Sequence, residues 1–473
     1  MKIRNQSLSL LTISVIAGLA AFNANANTEL AQSDVRNASA AAEDLSYLAK
    51  KAFYEDSSAK LHSFLYIRDR EQKNAEGDYK PQIENQTLQL ALDYRSGYFK
   101  DVIGFDLWAS TNLKLGDTVG QSEILLYDYD CNDDGVTDDP CEKTNTSLNV
   151  AAVKAKFGNE DMGLAVRGGY TRINIGTIRS SWGLNPHAYR GAEAKASFGK
   201  FIVGYAWADQ FKNDWSSKFK DLTNKWHQGE EGMSAAENID FIHTVGAIYK
   251  LDNGVIDLGY GEGKEYRKNW QALVKYNFDL GSDLKLNTAA FYHGGKYIEG
   301  DVSQVQDASN ESYIGLGADL KHGGFSWRLA YSQTDAPDTK AYNFRLTPWA
   351  NSDNRKFLQA KAQLDDYAAD GTNAVKFGVD YNFADWGIPE LSAGVSANYG
   401  WNVVTDVKAK ADARTYDGTM KSLDYNIRYK FMDGGLEGLN VKFYPAYFRS
   451  EDTNYKADRN DMKLLFSYTY TAK

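Results

Sequence analysis

The chain has 473 residues, a net charge of −10 and a mean hydropathy of −0.53. That balance, with no basic stripe carrying interleaved aromatics, disfavours nucleic acid as a partner. Scarce cysteine (2) and proline (7) beside 31 Tyr, 22 Phe, 10 Trp and 40 Gly is the composition of a long antiparallel sheet with aromatic belts and a wet interior, whose two faces average to a hydrophilic number.

In chain order, Lys2 and Arg4 precede the apolar stretch 8–19, and Ala24-Asn25-Ala26 follows. This reads as a secretory signal over residues 1–26, cleaved before Asn27. The stretch is shorter than the ~20 residues a spanning helix needs, and no later run is comparable, so any membrane crossing is made of strands. Residues 27–60 read as an N-terminal periplasmic segment. Within it, 29–52 is Ala-rich without a period of two, compatible with a short helix, a plug-like insert or a flexible lead.

The two cysteines, Cys131 and Cys141, flank an acidic run and in an exported chain are expected to form a disulfide. Asp130, Asn132, Asp134 and Asp138 around Gly135 alternate oxygen ligands about a turn, as a calcium ion requires. The twelfth position is Cys141 rather than Glu, with Asp139 or Glu142 as substitutes, and Asp-Gly loops are also simply good turns. Calcium is the one cofactor the residues suggest.

From residue 61 onward the pattern is all-β. In its clearest stretch Leu423, Tyr425, Ile427, Tyr429 and Phe431 alternate with Ser422, Asp424, Asn426, Arg428 and Lys430; Val441 and Phe443 then alternate with Asn440 and Lys442. In the last, Met462, Leu464, Phe466, Tyr468 and Tyr470 oppose Lys463, Ser467 and Thr469. Successive strand side chains face opposite ways, so one face is apolar and one charged. Tyrosines gathered at strand ends favour a membrane-interface belt over a water-soluble sandwich. Tight turns near 96–101, 158–161, 198–200, 251–254, 280–283, 322–324, 385–390 and 433–438 share one end, and longer connections such as 116–146, 211–238, 334–371 and 402–419 share the other. This predicts an antiparallel transmembrane β-barrel over 61–473, with about 18 strands running from near Leu61 to near Tyr470, short periplasmic turns and a lumen wide enough for water.

Inward positions carry Lys154, Lys156, Arg167, Arg172, Arg428, Lys430 and Lys442. Charged rows in a pore set selectivity, unless facing carboxylates pair them off. The six histidines are scattered, and no Gly-x-Ser-x-Gly, His-Glu-x-x-His or Cys/His cluster is present, so no enzyme is expected.

Several motifs carry a resemblance. Phe53-Tyr54-Glu55-Asp56-Ser57-Ser58 with Arg68-Asp69, Leu92-Asp93-Tyr94-Arg95-Ser96-Gly97-Tyr98 through Val102-Ile103-Gly104-Phe105-Asp106, Leu113-Lys114-Leu115-Gly116, and Pro186-His187-Ala188-Tyr189-Arg190-Gly191-Ala192-Glu193 resemble the OprD family of substrate-specific outer-membrane porins. Phe344-Arg345-Leu346-Thr347-Pro348, and Tyr381-Asn382-Phe383 with Trp386 and Pro389, are similar to its chitoporin branch. The resemblance implies an 18-stranded barrel whose third extracellular loop, residues 177–190 here, folds inward as a constriction. Arg179, Ser181, Trp182, Asn185, His187, Tyr189 and Arg190 would then contact solute, stacking on a sugar ring and bonding its hydroxyls. The function implied is passive, substrate-preferring diffusion of small nutrient solutes, chitooligosaccharides among them. Alternatives are a channel for basic or aromatic amino acids and carboxylates, or a non-conducting surface adhesin. The partners expected are outer-membrane lipid and small polar solutes, with monomer and oligomer both compatible with the sequence.

Overall fold

The protein is described by a computed structural model covering residues 45–120, 126–128, 141–159, 161–180, 183–224, 237–281, 283–340, 345–347 and 358–472. The alternating segments form β1 (Ser58–Lys73), β2 (Tyr79–Arg95), β3 (Ile103–Lys114), β4 (Asn145–Gly158), β5 (Met162–Thr171), β6 (Ala188–Phe198), β7 (Phe201–Lys212), β8 (Ile242–Leu251) and β9 (Gly254–Gly263). They continue as β10 (Arg267–Asp279), β11 (Lys285–Tyr297), β12 (Glu311–His322), β13 (Phe325–Asp335), β14 (Asn373–Asn382), β15 (Leu391–Val403), β16 (Gly418–Lys430), β17 (Asn440–Glu451) and β18 (Arg459–Thr471). Each pairs antiparallel with its neighbour in sequence. β1 also pairs with β18, from Lys60↔Thr471 to Gln72↔Arg459, which closes the sheet into a barrel of 18 strands. Closure leaves no strand edge with unpaired N–H and C=O groups, a condition for crossing hydrocarbon.

The strand count and all eight tight turns stand where the alternation predicted them. The first strand begins at Ser58 rather than near Leu61, and the last ends at Thr471 rather than near Tyr470. A helix over residues 45–50 and a π-helical turn, Lys51–Glu55, precede β1. The signal segment and the Asp130, Cys131, Asn132, Asp134 and Asp138 run lie outside the described residues. Of that connection, Leu126–Asp128 pairs with Cys141–Lys143 in a small hairpin.

Side-chain parity separates the two faces. Leu90, Val245, Leu258, Val274, Leu316, Leu329 and Phe377 are exposed on the outer wall, with Phe157, Phe198, Phe201, Phe278, Phe325, Tyr468 and Tyr470 at the tight-turn end and Tyr260, Tyr292, Tyr399 and Tyr447 toward the other. These are the girdles of an outer-membrane wall. The opposite parity turns Asn85, Thr87, Gln89, Asn112, Thr244, Asn269, His293, Asn398 and Asp461, all buried, to the inside.

Candidate functional site

The interior is built by cross-strand rows, because directly paired residues share a face. Lys154 pairs with Arg167 and Arg167 with Glu193, so β4, β5 and β6 line up charges on the inner wall. Arg95 reaches Asp93 at 2.8 Å and Lys154 reaches Asp106 at 2.7 Å. Glu193 holds Lys195 at 2.9 Å and Arg167 at 3.5 Å. The Lys154 and Lys156 ammonium groups lie 5.0 and 4.6 Å from the Tyr98 ring centre. A pocket lined by Asp93, Arg95, Asp106, Trp108, Arg167 and Arg172 opens among them. Burial, and then the like charges of Arg95 and Arg167, lower the Arg172 guanidinium from its ordinary value, yet an arginine stays charged at working pH.

Across the barrel, Arg328 reaches Asp319 at 2.6 Å. The fully buried Asp461 carboxylate gathers Arg68 at 3.3 Å, Arg70 at 3.4 Å and Lys463 at 3.4 Å. Of the predicted cations, Arg428 and Lys442 are direct cross-strand neighbours. Lys430 shares their face nearer the periplasmic turn.

Described residues of two connections touch inward-facing residues of the strands. In the connection 172–187, Asn174–Ile175 pairs with Ile178–Arg179 as a small hairpin. Its turn residue Gly176, at φ 53°, rests on strand backbone. A Cβ at Gly246 would lie 2.5 Å from the Gly176 nitrogen, and one at Gly259 would lie 2.7 Å from its Cα. Glycine in a strand interior marks this kind of close backbone approach. Thr177 N donates to Thr244 Oγ1 at 2.9 Å, and Arg179 is ion-paired with Asp257.

Asn185 fastens the far end of the same connection. Its Oδ1 accepts from Ser110 Oγ at 2.7 Å, Trp108 Nε1 at 3.0 Å and Gln89 Nε2 at 3.1 Å. Its Nδ2 donates to the Asp214 carbonyl at 3.0 Å. His187 Nε2 lies 2.9 Å from the Asp214 carboxylate. Tyr189 is fully buried against Phe211, and Arg190 forms a bidentate pair with Asp209, both contacts 2.7 Å; these two belong to β6. Asn185, His187 and Tyr189 therefore hold the segment in place, while Ser181 and Trp182 lie outside the described residues.

The second segment was not read from the sequence. Residues 358–370, between β13 and β14, carry Leu358, Ala360, Ala362, Leu364 and Tyr367 buried against the inner wall. Tyr313 Oη accepts from Gln359 N at 3.1 Å, and Lys376 Nζ donates to Lys361 O at 2.6 Å. Gln363 spans Asp424, Tyr444 O and Asp461. This leaves the Lys361–Asp366 pair, 3.0 Å apart and about one-third exposed, on the open side. Apolar residues at every second position of a long connection were the available signal, since such a row requires cover.

The sequence matches the family described as outer membrane porin, OprD family, over residues 51–472. The chain belongs to the OprD family. This OprD-family porin is 27% identical over 464 residues to chitoporin of Escherichia coli (strain K12), spanning 89% of this chain and 93% of that protein. It is 23% identical over 438 residues to porin D of Pseudomonas aeruginosa PAO1, spanning 88% and 91%. Among solved structures, Pseudomonas aeruginosa OpdK with vanillate has a TM-score of 0.70 at 17% identity, covering 89% of this chain and 100% of that one. A BenF-like porin from Pseudomonas fluorescens Pf-5 has a TM-score of 0.70 at 20% identity, with 89% and 100% coverage. The OprD-family porin is thus an outer-membrane channel, and family and fold place it with channels rather than enzymes.

Proposed function

We propose that this channel passes small hydroxyl-rich solutes, chitooligosaccharides among them, through a constriction that the segments 172–187 and 358–370 form in the lumen. One observation carries the reading. The basic groups on the inner wall are largely compensated, Arg95 by Asp93, Lys154 by Asp106, Lys195 by Glu193 and Arg328 by Asp319. A compensated wall offers a dense grid of donors and acceptors without a bare field, which suits a neutral polar solute better than an anion. The chitoporin similarity points the same way.

A second reading, passage of small carboxylates, is favoured by Arg428, Lys442 and Lys430. These share one inward face without a carboxylate in ion-pair distance among the described residues. Planar-bilayer recording separates the two. Chitohexaose is expected to interrupt the open-channel current at micromolar-to-millimolar concentration while an aromatic carboxylate or arginine leaves it unaffected. Block by the carboxylate alone supports the second reading, and arginine block alone is evidence against both.

A further inference from the structure

The chain enters β1 on the outside of the barrel, and that entry is chemically distinctive. Gly97, in the periplasmic turn between β2 and β3, donates its N–H to Ala52 O at 2.7 Å. Tyr94 Oη donates to Phe53 O at 2.5 Å. The approach is close enough that a Cβ on Gly97 would lie 2.6 Å from Asp56 Cβ and 2.9 Å from Ala52 O.

The Phe53 ring then lies near-parallel to Phe99 at 6.1 Å and tilted against Phe105 at 5.6 Å. Phe105 in turn contacts Tyr94 at 5.2 Å. Phe105 pairs in register with Val153, and Ile103 with Ala155. Phe105, Val153, Ile103 and Phe157 are all exposed, on the face opposite Asp106 and Lys154. Phe53 therefore extends the apolar outer wall at its periplasmic margin. Beside it, Tyr54 is 59% exposed, and the Lys100 ammonium lies 5.8 Å from the Phe99 ring centre. Rings with a polar end next to a lysine at the edge of an apolar wall are the composition of a membrane-interface belt, with the lysine reaching toward headgroups.

We propose that Phe53 and Tyr54, with Phe99, Phe105 and Lys100, form an interfacial anchor seated in phospholipid of the periplasmic leaflet, holding the chain's entry outside the lumen. The occupant follows from continuity: the patch is the margin of a wall that already faces lipid. Phe53 and Phe105, which contact each other, are both left exposed by the fold, and lipid would cover them together. The bonds from Tyr94 and Gly97 fix Ala52 and Phe53 to the outer surface.

The test places a nitroxide at residue 54 (Tyr54→Cys in a Cys131→Ser, Cys141→Ser chain) in phosphatidylethanolamine–phosphatidylglycerol vesicles. Power saturation then compares collision with oxygen and with a water-soluble nickel chelate. The expected result is several-fold lower nickel accessibility than for the same label at Asp252, in another periplasmic turn, with oxygen accessibility raised. Equal nickel accessibility at the two sites overturns the anchor. In the otherwise native chain, Phe53→Ala is expected to leave open-channel conductance unchanged and to increase proteolytic cleavage N-terminal to β1 by several-fold. A rise in conductance instead would put the segment in the lumen and overturn the proposal.

Discussion

Replacing Asn185 by alanine tests how firmly the connection 172–187 is held. The residue is fully buried, and four hydrogen bonds converge on its amide. Two of the donors have other recourse. Gln89 Nε2 already shares Asn112 Oδ1 at 3.0 Å, and the Ser110 hydroxyl can rotate. The indole N–H of Trp108 and the part-buried carbonyl of Asp214 lose this partner, and a hydrogen bond lost at a fully buried group costs up to about 1–3 kcal/mol. Taken at full cost for both, that is roughly 2–6 kcal/mol, about one and a half to four orders of magnitude in the docked-to-undocked ratio at about 1.4 kcal/mol per tenfold. Relaxation around the truncated side chain will return part of this. At least a tenfold rise in the undocked fraction is expected, visible in planar bilayers as added open-channel noise or a second, larger conductance level. The barrel itself should stay folded, as judged by its heat-modifiable migration on gels. A folded Asn185→Ala channel with wild-type noise and wild-type solute block would refute the assignment of Asn185 as the pin of this segment.

The glycine seat offers a complementary perturbation. Gly259→Val places carbon where Gly176 lies, since even a Cβ would meet its Cα at 2.7 Å; a larger conductance and weakened solute preference are expected, and an unchanged current–voltage curve would count against the seat. Asp461→Asn removes the negative charge shared by Arg68, Arg70 and Lys463. The reversal potential in a potassium chloride gradient should move toward anions, and no movement would mean the pore does not sense this carboxylate. Arg428→Ala with Lys442→Ala should abolish any block by aromatic carboxylates while sparing block by chitohexaose, measured as single-channel residence times.

The barrel was legible because a wall between lipid and water imposes a period of two on every strand, as the series Leu423 to Lys430 displays. Turn chemistry then separated the short end from the long one. The pore interior was less legible. Lys154 and Arg167 lie on the face opposite the exposed Val153 and Leu164, while their partners Asp106 and Glu193 come from neighbouring strands, and registers are not written in one strand's sequence. Nothing in the local pattern separates Gly246 and Gly259, on which Gly176 rests, from other barrel glycines. The row Leu358, Ala360, Ala362 and Leu364 has strand-like periodicity without being a strand. Its cover is supplied by strands from β10 to β18, distant partners that local pattern does not reveal.

The seat of Gly176 also has a bearing on the order of assembly. It exists only where β8 and β9 lie in register, because Gly246 and Gly259 face each other as a direct pair. Before those strands zip together there is no floor for the turn to settle on. Docking of this turn must therefore follow sheet formation, and the long separation in sequence between β1 and β18 makes their closure slow as well. A barrel arrested late in assembly would have its full wall and an unfilled interior, so incomplete maturation would show as leakiness to large solutes before it showed as a missing channel.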